Sequence, residues 1–147
     1  LDGGNDVLLA DIDAGLAMVP DDSFDLVILS ETLQAMRQPR FVLREILRVA
    51  PAAIITFPNF GYLPTRARLL LKGRMPKSSH LPYEWYDTPN IHLFTLKDFL
   101  ALCRAERIAV TRWCGLTSGA LGRALVACGH ANAGADSVIV RISRPAP

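Results

Sequence analysis

Cysteine is scarce in this chain: Cys103, Cys114 and Cys128 are the three present in 147 residues. Their number is odd and none is spaced as C-x-x-C, so there is no disulfide framework to read and no support for a metal or redox role. They are expected to act as small hydrophobes in a reduced protein. Long apolar runs are missing too, none approaching the ~20 residues of a membrane span. The opening Leu1-Asp2-Gly3-Gly4 has neither the basic flank nor the apolar core of a signal peptide. The expectation is a cytoplasmic protein without membrane association. An excess of one charge is lacking, since a net charge of +2 is too mild to require nucleic acid as a partner. No G-x-G-x-x-G follows a strand-like run and no G-x-x-x-x-G-K-[ST] occurs, so nothing offers backbone amides to a phosphate. With no G-x-S-x-G elbow and no His in ligand spacing with another His or Cys, hydrolase and metal readings have no support, and no metal site is expected.

What is present suits a compact domain. Half of the residues are hydrophobic and a fifth are charged, and a chain of this length buries roughly 68–70% of its unfolded surface without staples. One domain over 1–147 is expected. Because it starts at Leu rather than Met, already close to an apolar stretch, that domain is expected to be incomplete at its N-terminus. The two charge signs are segregated. Asp2, Asp6, Asp11, Asp13, Asp21, Asp22, Asp25 and Glu31 come first, whereas Arg48, Arg66, Arg68, Lys72, Arg74 and Lys77 are the only charges between Glu45 and Glu84.

Apolar runs set the order of elements. Val7-Leu8-Leu9-Ala10 reads as a buried strand closed by Asp11, Asp13 and Gly15. Residues 24–29 read as a second strand, and the lack of alternation from Leu26 to Leu29 predicts burial on both faces, the habit of a central parallel strand. Pro39 opens a helix whose Val42, Leu43, Ile46, Leu47 and Ala50 share a face while Arg40, Arg44 and Arg48 line another; Pro51 stops it. A strand at 52–57 follows, then a short amphipathic helix at 64–72 ended by Gly73. Thr95 and Asp98 predict a capping box opening a helix through Phe99 and Cys103. Strands are expected at 108–113 and 138–142, with the Gly-rich stretch between them left unassigned. This order predicts an α/β sandwich with a mostly parallel sheet.

Ligands of open α/β sheets bind beyond the carboxyl ends of the strands. The polar groups just after each run are Asp11-Ile12-Asp13, Ser30-Glu31-Thr32 and Phe57-Pro58-Asn59; a rim of hydrogen-bonding side chains and ordinary turn chemistry are equally good accounts of them. Residues 81–95 combine Tyr83, Trp85 and Tyr86 with Asp87, Asn90 and His92, the composition of a loop that seals a pocket or anchors an interface. His80 and His130 read as solvated loop residues, and His92 is the histidine to test.

The runs Asp21-Asp22-Ser23-Phe24-Asp25, Leu29-Ser30-Glu31-Thr32-Leu33-Gln34, Phe57-Pro58-Asn59-Phe60-Gly61, Gly73-Arg74-Met75-Pro76 and Tyr86-Asp87-Thr88-Pro89-Asn90-Ile91-His92-Leu93 together resemble the methionine biosynthesis protein MetW family. The likeness covers about residues 7–103. It implies a Rossmann-like class I S-adenosylmethionine-dependent methyltransferase fold lacking its first two strands and Gly-rich loop. It also implies that Asp11 and Ile12 hold an adenine, with Ser30 and Glu31 beneath S-adenosylmethionine and Gln34 nearby on the helix-entry side. The implied partner is homoserine O-acetyltransferase (MetX), met through Arg66, Arg74, Trp85, Asp87, Asn90 and His92; the alternative is methyl transfer to a small molecule. The first strand of that fold lies between the third and fourth. Its absence therefore implies residues upstream, direct pairing of the remaining strands, or a second chain in the gap.

Overall fold

A computed structural model describes residues 9–77 and 82–145. Among the described residues, four strands, β1 (Val27–Ser30), β2 (Ala52–Pro58), β3 (Ala109–Leu116) and β4 (Ser137–Ser143), form one sheet in the order β1-β2-β4-β3. Five helices accompany them: α1 (Pro39–Val49), α2 (Leu63–Lys72), α3 (Leu96–Ala105), α4 (Ala120–Ala127) and α5 (Ala131–Gly134). Single 3-10 turns lie at Ile12–Ala14 and Leu33–Ala35.

The sheet is mixed, which corrects the expectation of a mostly parallel one. Only β1 and β2 run parallel, joined through α1, while β4 is antiparallel to both of its neighbours. The chain leaves β3 at Leu116, turns through α4 and α5, and re-enters at Ser137 directly opposite Leu116, so β4 must run in reverse. An apolar run such as Val138-Ile139-Val140 carries no mark of direction, which is why its pattern was silent on this.

The first expected strand also differs. Val7 and Leu8 lie outside the described residues, and Leu9 and Ala10 are coil, with Leu9 97% exposed. No strand pairs with this segment among the described residues, and an unpaired extended segment has nothing to hold it flat. The second expected strand shortens to β1, which has β2 as its one neighbour in the described sheet. It is an edge strand, not a strand buried on both faces, and Ile28 is 67% exposed. No gap interrupts the described sheet, because β1 is its outer strand.

The core lies on one face. Leu29, Ala53, Ile55, Phe57, Val138, Val140 and Ile142 meet Val42, Leu43, Ile46 and Leu47 of α1, Leu96, Phe99 and Cys103 of α3, and Ala131 and Ala135 around α5. Phe57 is flanked by Phe94 and Phe99, with ring centroids 4.8 and 4.9 Å away. Burial pushes the Cys103 thiol up to about 11, so it stays protonated and packs as the small hydrophobe expected. Cys114 and Cys128 are exposed, contrary to that expectation. The opposite sheet face carries Ile28, Ile54 and Ile139 beside Arg112 and Arg141, so the described residues form two layers, not a full sandwich.

Charged side chains fasten the segment before β1 to α1. Pro39 starts that helix but Gln38 provides no side-chain cap. Asp13 substitutes, accepting from the backbone N–H groups of Arg37 at 3.0 Å and Gln38 at 3.1 Å. These bonds hold its carboxyl below its ordinary value. Arg48 donates to both oxygens of Glu45, to Asp21, and to the carbonyls of Leu16 and Val19. Arg144, just after β4, caps the other end of α1 by donating to the carbonyls of Leu47 and Arg48. Arg40 and Arg44 converge on Glu106 behind α3.

Glu45 is held low by its bonds from Arg48 and Leu16, and Glu106 by Arg44 and Arg40. A carboxylate depressed in the folded state contributes stability that is complete above its unfolded value and is lost as pH falls through the lower folded one. Thermal melts are therefore expected to be flat near neutrality and to fall once pH drops below the ordinary Glu value of 4.5. Glu45→Gln should be less stable near neutrality and show a shallower acid decline. An unchanged decline in that variant would remove Glu45 from the account.

Candidate functional site

The carboxyl end of β1 is a sharp polar turn. Ser30 Oγ lies 3.2 Å from Thr56 Oγ1, which also receives the Glu31 N–H at 3.0 Å. Glu31 has φ 47, a left-handed conformation that costs a non-glycine residue on the order of 1 kcal/mol or more and persists only where the surroundings impose it. Next, Gln34 is 4% exposed; its Nε2 donates to the Glu31 carbonyl, while its Oε1 has no hydrogen-bond partner. The Gln34 carbonyl accepts from the N–H groups of both Ile91 and His92, at 3.0 and 2.9 Å. His92 Nε2 is likewise buried and without a partner. Gln34 and His92, far apart in sequence, are thus brought together. His92 also edges an apolar cavity of about 300 Å³ between Leu33, Phe94, Phe99 and Leu102.

Asp11 and Ile12 open the 3-10 turn that leads to Asp13. Asp11 Oδ1 accepts from the N–H of Asp13 and caps its own turn. Asp13, beside them, is taken up by the start of α1.

Of the residues expected to meet a partner, His92 lies with Gln34, while Arg74 and Trp85 line a separate cleft. α2 ends at Gly73, whose φ of 58 is the left-handed C-cap expected from sequence. The following residues, Gly73 to Lys77, face Tyr83, Glu84 and Trp85 across a cleft of about 600 Å³. Lys77 bridges it to Glu84, and Arg68 of α2 donates to the Lys77 carbonyl at 2.6 Å. Trp85 is 72% exposed and packs edge-on against Tyr86, with centroids 5.5 Å apart. Asp87 is exposed, and its N–H donates to the Glu84 carbonyl, while Asn90 turns back on Thr88. Arg66 and Arg74 are exposed and form no ion pair among the described residues. His80 lies outside the described residues, and His130 is exposed as expected.

One residue was placed on the rim by sequence and does something else. Asn59 is buried and makes four bonds: Nδ2 donates to the carbonyls of Asn132 at 3.1 Å and Ala135 at 2.8 Å, and Oδ1 accepts from Gly61 N at 3.0 Å and Leu96 N at 3.1 Å. It ties the end of β2 to the turn before α2, the start of α3, and Asn132 and the C-cap Ala135 of α5. Its position directly after a Phe-Pro strand end was the available signal. The outward leucines of α2 have no signal in the sequence, because periodicity shows that a helix has an apolar stripe, not which way the stripe points.

Comparison with known proteins identifies the family described as methionine biosynthesis protein MetW, which matches residues 1–132. A relative from Rhodopirellula baltica, the bifunctional methionine biosynthesis protein MetXA/MetW, is 43% identical over 96 residues, 65% of this chain and 15% of that protein. The chain therefore spans a small part of that relative's length. Among solved structures, the small RNA methyltransferase HEN1 matches with a TM-score of 0.60 at 16% identity, over 94% of this chain and 16% of that one. An S-adenosylmethionine dependent methyltransferase from Mesorhizobium loti matches with a TM-score of 0.58 at 17% identity, over 92% of this chain and 67% of that one. At such identities these two likenesses concern the fold.

Proposed function

The chain belongs to the methionine biosynthesis protein MetW family, and from that premise we propose that it acts as a partner of homoserine O-acetyltransferase and modulates that enzyme's rate. The observation that carries this reading is the relative in which a MetW region is joined to MetXA in one polypeptide. Covalent joining holds two modules at an effective concentration in the mM range for a short flexible linker, which favours contacts that separate chains must make by affinity. The chemistry of the exposed surface agrees. Trp85 and Tyr86 are amphipathic rings of the type that anchor interfaces, Arg74 lines the same cleft as Trp85, and Arg66 and Arg74 form no ion pair among the described residues. Titration calorimetry of this chain into purified homoserine O-acetyltransferase should give a saturable heat. The absence of binding at micromolar concentrations of both would count against the proposal.

A second reading, S-adenosylmethionine binding, is favoured by the strained Glu31 at the end of β1 together with the methyltransferase fold. The residues present do not by themselves fit that group. Asp11, Ser30 and Glu31 are exposed, Asp11 and Ser30 already share hydrogen bonds with their neighbours, and only Gln34 offers a buried acceptor without a partner. They make an open rim and not an enclosure, and no methyl-transfer step follows from it. Glu31→Ala and Gln34→Ala are expected to leave acetyltransferase binding unchanged; a loss there would move the partner surface to the rim.

A further inference from the structure

The orientation of α2 is inverted relative to an ordinary surface helix. Leu63, Ala67, Leu70 and Leu71, at i, i+4, i+7 and i+8, make one apolar stripe. Such a stripe normally faces the core, yet the one buried residue of α2 is Thr65, on the other side. Leu70 and Leu71 are 85% and 81% exposed. The charges of α2 are of one sign: Arg66 and Arg68 flank the stripe, Lys72 lies on the side of Thr65, Arg74 follows the helix, and no acidic residue occurs from 46 to 83. Arg66, Lys72 and Arg74 form no ion pair among the described residues. At the C-terminal end of α2, Gly73 and Arg74 run directly into the cleft edged by Trp85, so the surface continues onto the aromatic loop.

We propose that α2 is itself the docking element: its leucine stripe enters an apolar groove on the partner enzyme, edged by carboxylates that meet Arg66 and Arg74. This rests on the partner reading above. The argument for an acidic protein groove is charge complementarity, because a stripe flanked by unpaired cations is matched by carboxylates and repelled by a basic surface. Leu70 and Leu71 have the apolar area to act as the two anchors of a helix-in-groove contact. Being solvent-exposed, both can be changed without touching the core.

The test measures binding of purified homoserine O-acetyltransferase to wild type, to Leu70→Ser/Leu71→Ser and to Arg66→Glu/Arg74→Glu, each first checked for an unchanged thermal melt. Both variants are expected to bind about tenfold or more weakly, and wild-type affinity should fall with added salt. Wild-type binding with unaltered affinity in both variants would overturn the docking surface and leave the partner reading standing. No wild-type binding would overturn both. Leucine-dependent self-association in sedimentation, or leucine-dependent binding to vesicles of anionic lipid, would show another occupant of the stripe and overturn the proposal.

Discussion

Asn59→Ala is expected to destabilise the protein by about 3 to 4 kcal/mol, because each buried group left without its partner costs about 1–3 kcal/mol. Four partners are stranded at once. The Gly61 and Leu96 N–H groups lose their acceptor, and the Asn132 and Ala135 carbonyls lose their donor. Water cannot easily replace the side chain, since the bonds to Ala135, Gly61 and Leu96 are buried. For a chain of this size the melting temperature should drop by about 10 °C. Asn59→Asp separates the two halves of the site. It keeps the acceptor for Gly61 and Leu96 but turns a carboxylate oxygen toward the Ala135 carbonyl, so it should also be unstable near neutrality and recover in part as acid protonates it. A melt within about 2 °C of wild type for Asn59→Ala would mean that the hub does not hold the segments around it together.

The second large effect is expected at Gly134→Ala. A Cβ there would lie 2.7 Å from the Gly122 carbonyl oxygen, 2.7 Å from Leu125 Cβ and 2.9 Å from Val126 N. Two of these atoms are backbone and the third is fixed to it, so no flexible side chain can move aside. Helices α4 and α5 must separate, and overpacking of this kind costs about 1–3 kcal/mol. Gly73→Ala, in contrast, meets open space and pays only for its left-handed φ of 58, on the order of 1 kcal/mol. The ranking is the test: denaturant melts should place Gly134→Ala below Gly73→Ala, and the reverse order would contradict the packing described.

Local signals in the sequence carried the elements that depend on local chemistry. The Pro39 start and apolar face of α1, the Gly73 stop of α2 and the Thr95–Asp98 capping box of α3 all stand where the residues put them. Each is decided within one or two helical turns. What depends on partners distant in sequence was not legible. The direction of β4 is set by the return through α4 and α5, and a register shift between Val110 and Arg112 leaves no trace in the apolar pattern. Leu26 to Leu29 read as a strand buried twice over, but burial depends on neighbours, and β1 has one in the described sheet. Within the site, the family resemblance pointed to Gln34 and the composition of the loop to His92, separately. Only the fold shows that the backbone of one holds the other. Asp13 looked like a rim carboxylate and is a helix cap supplied from another segment.

The partner reading is tested most directly by the rate of homoserine acetylation measured with increasing amounts of this chain. The account predicts a saturable change in rate that Leu70→Ser/Leu71→Ser weakens and Gln34→Ala preserves. A rate unchanged at concentrations where the wild-type chain is in excess over the enzyme would contradict it.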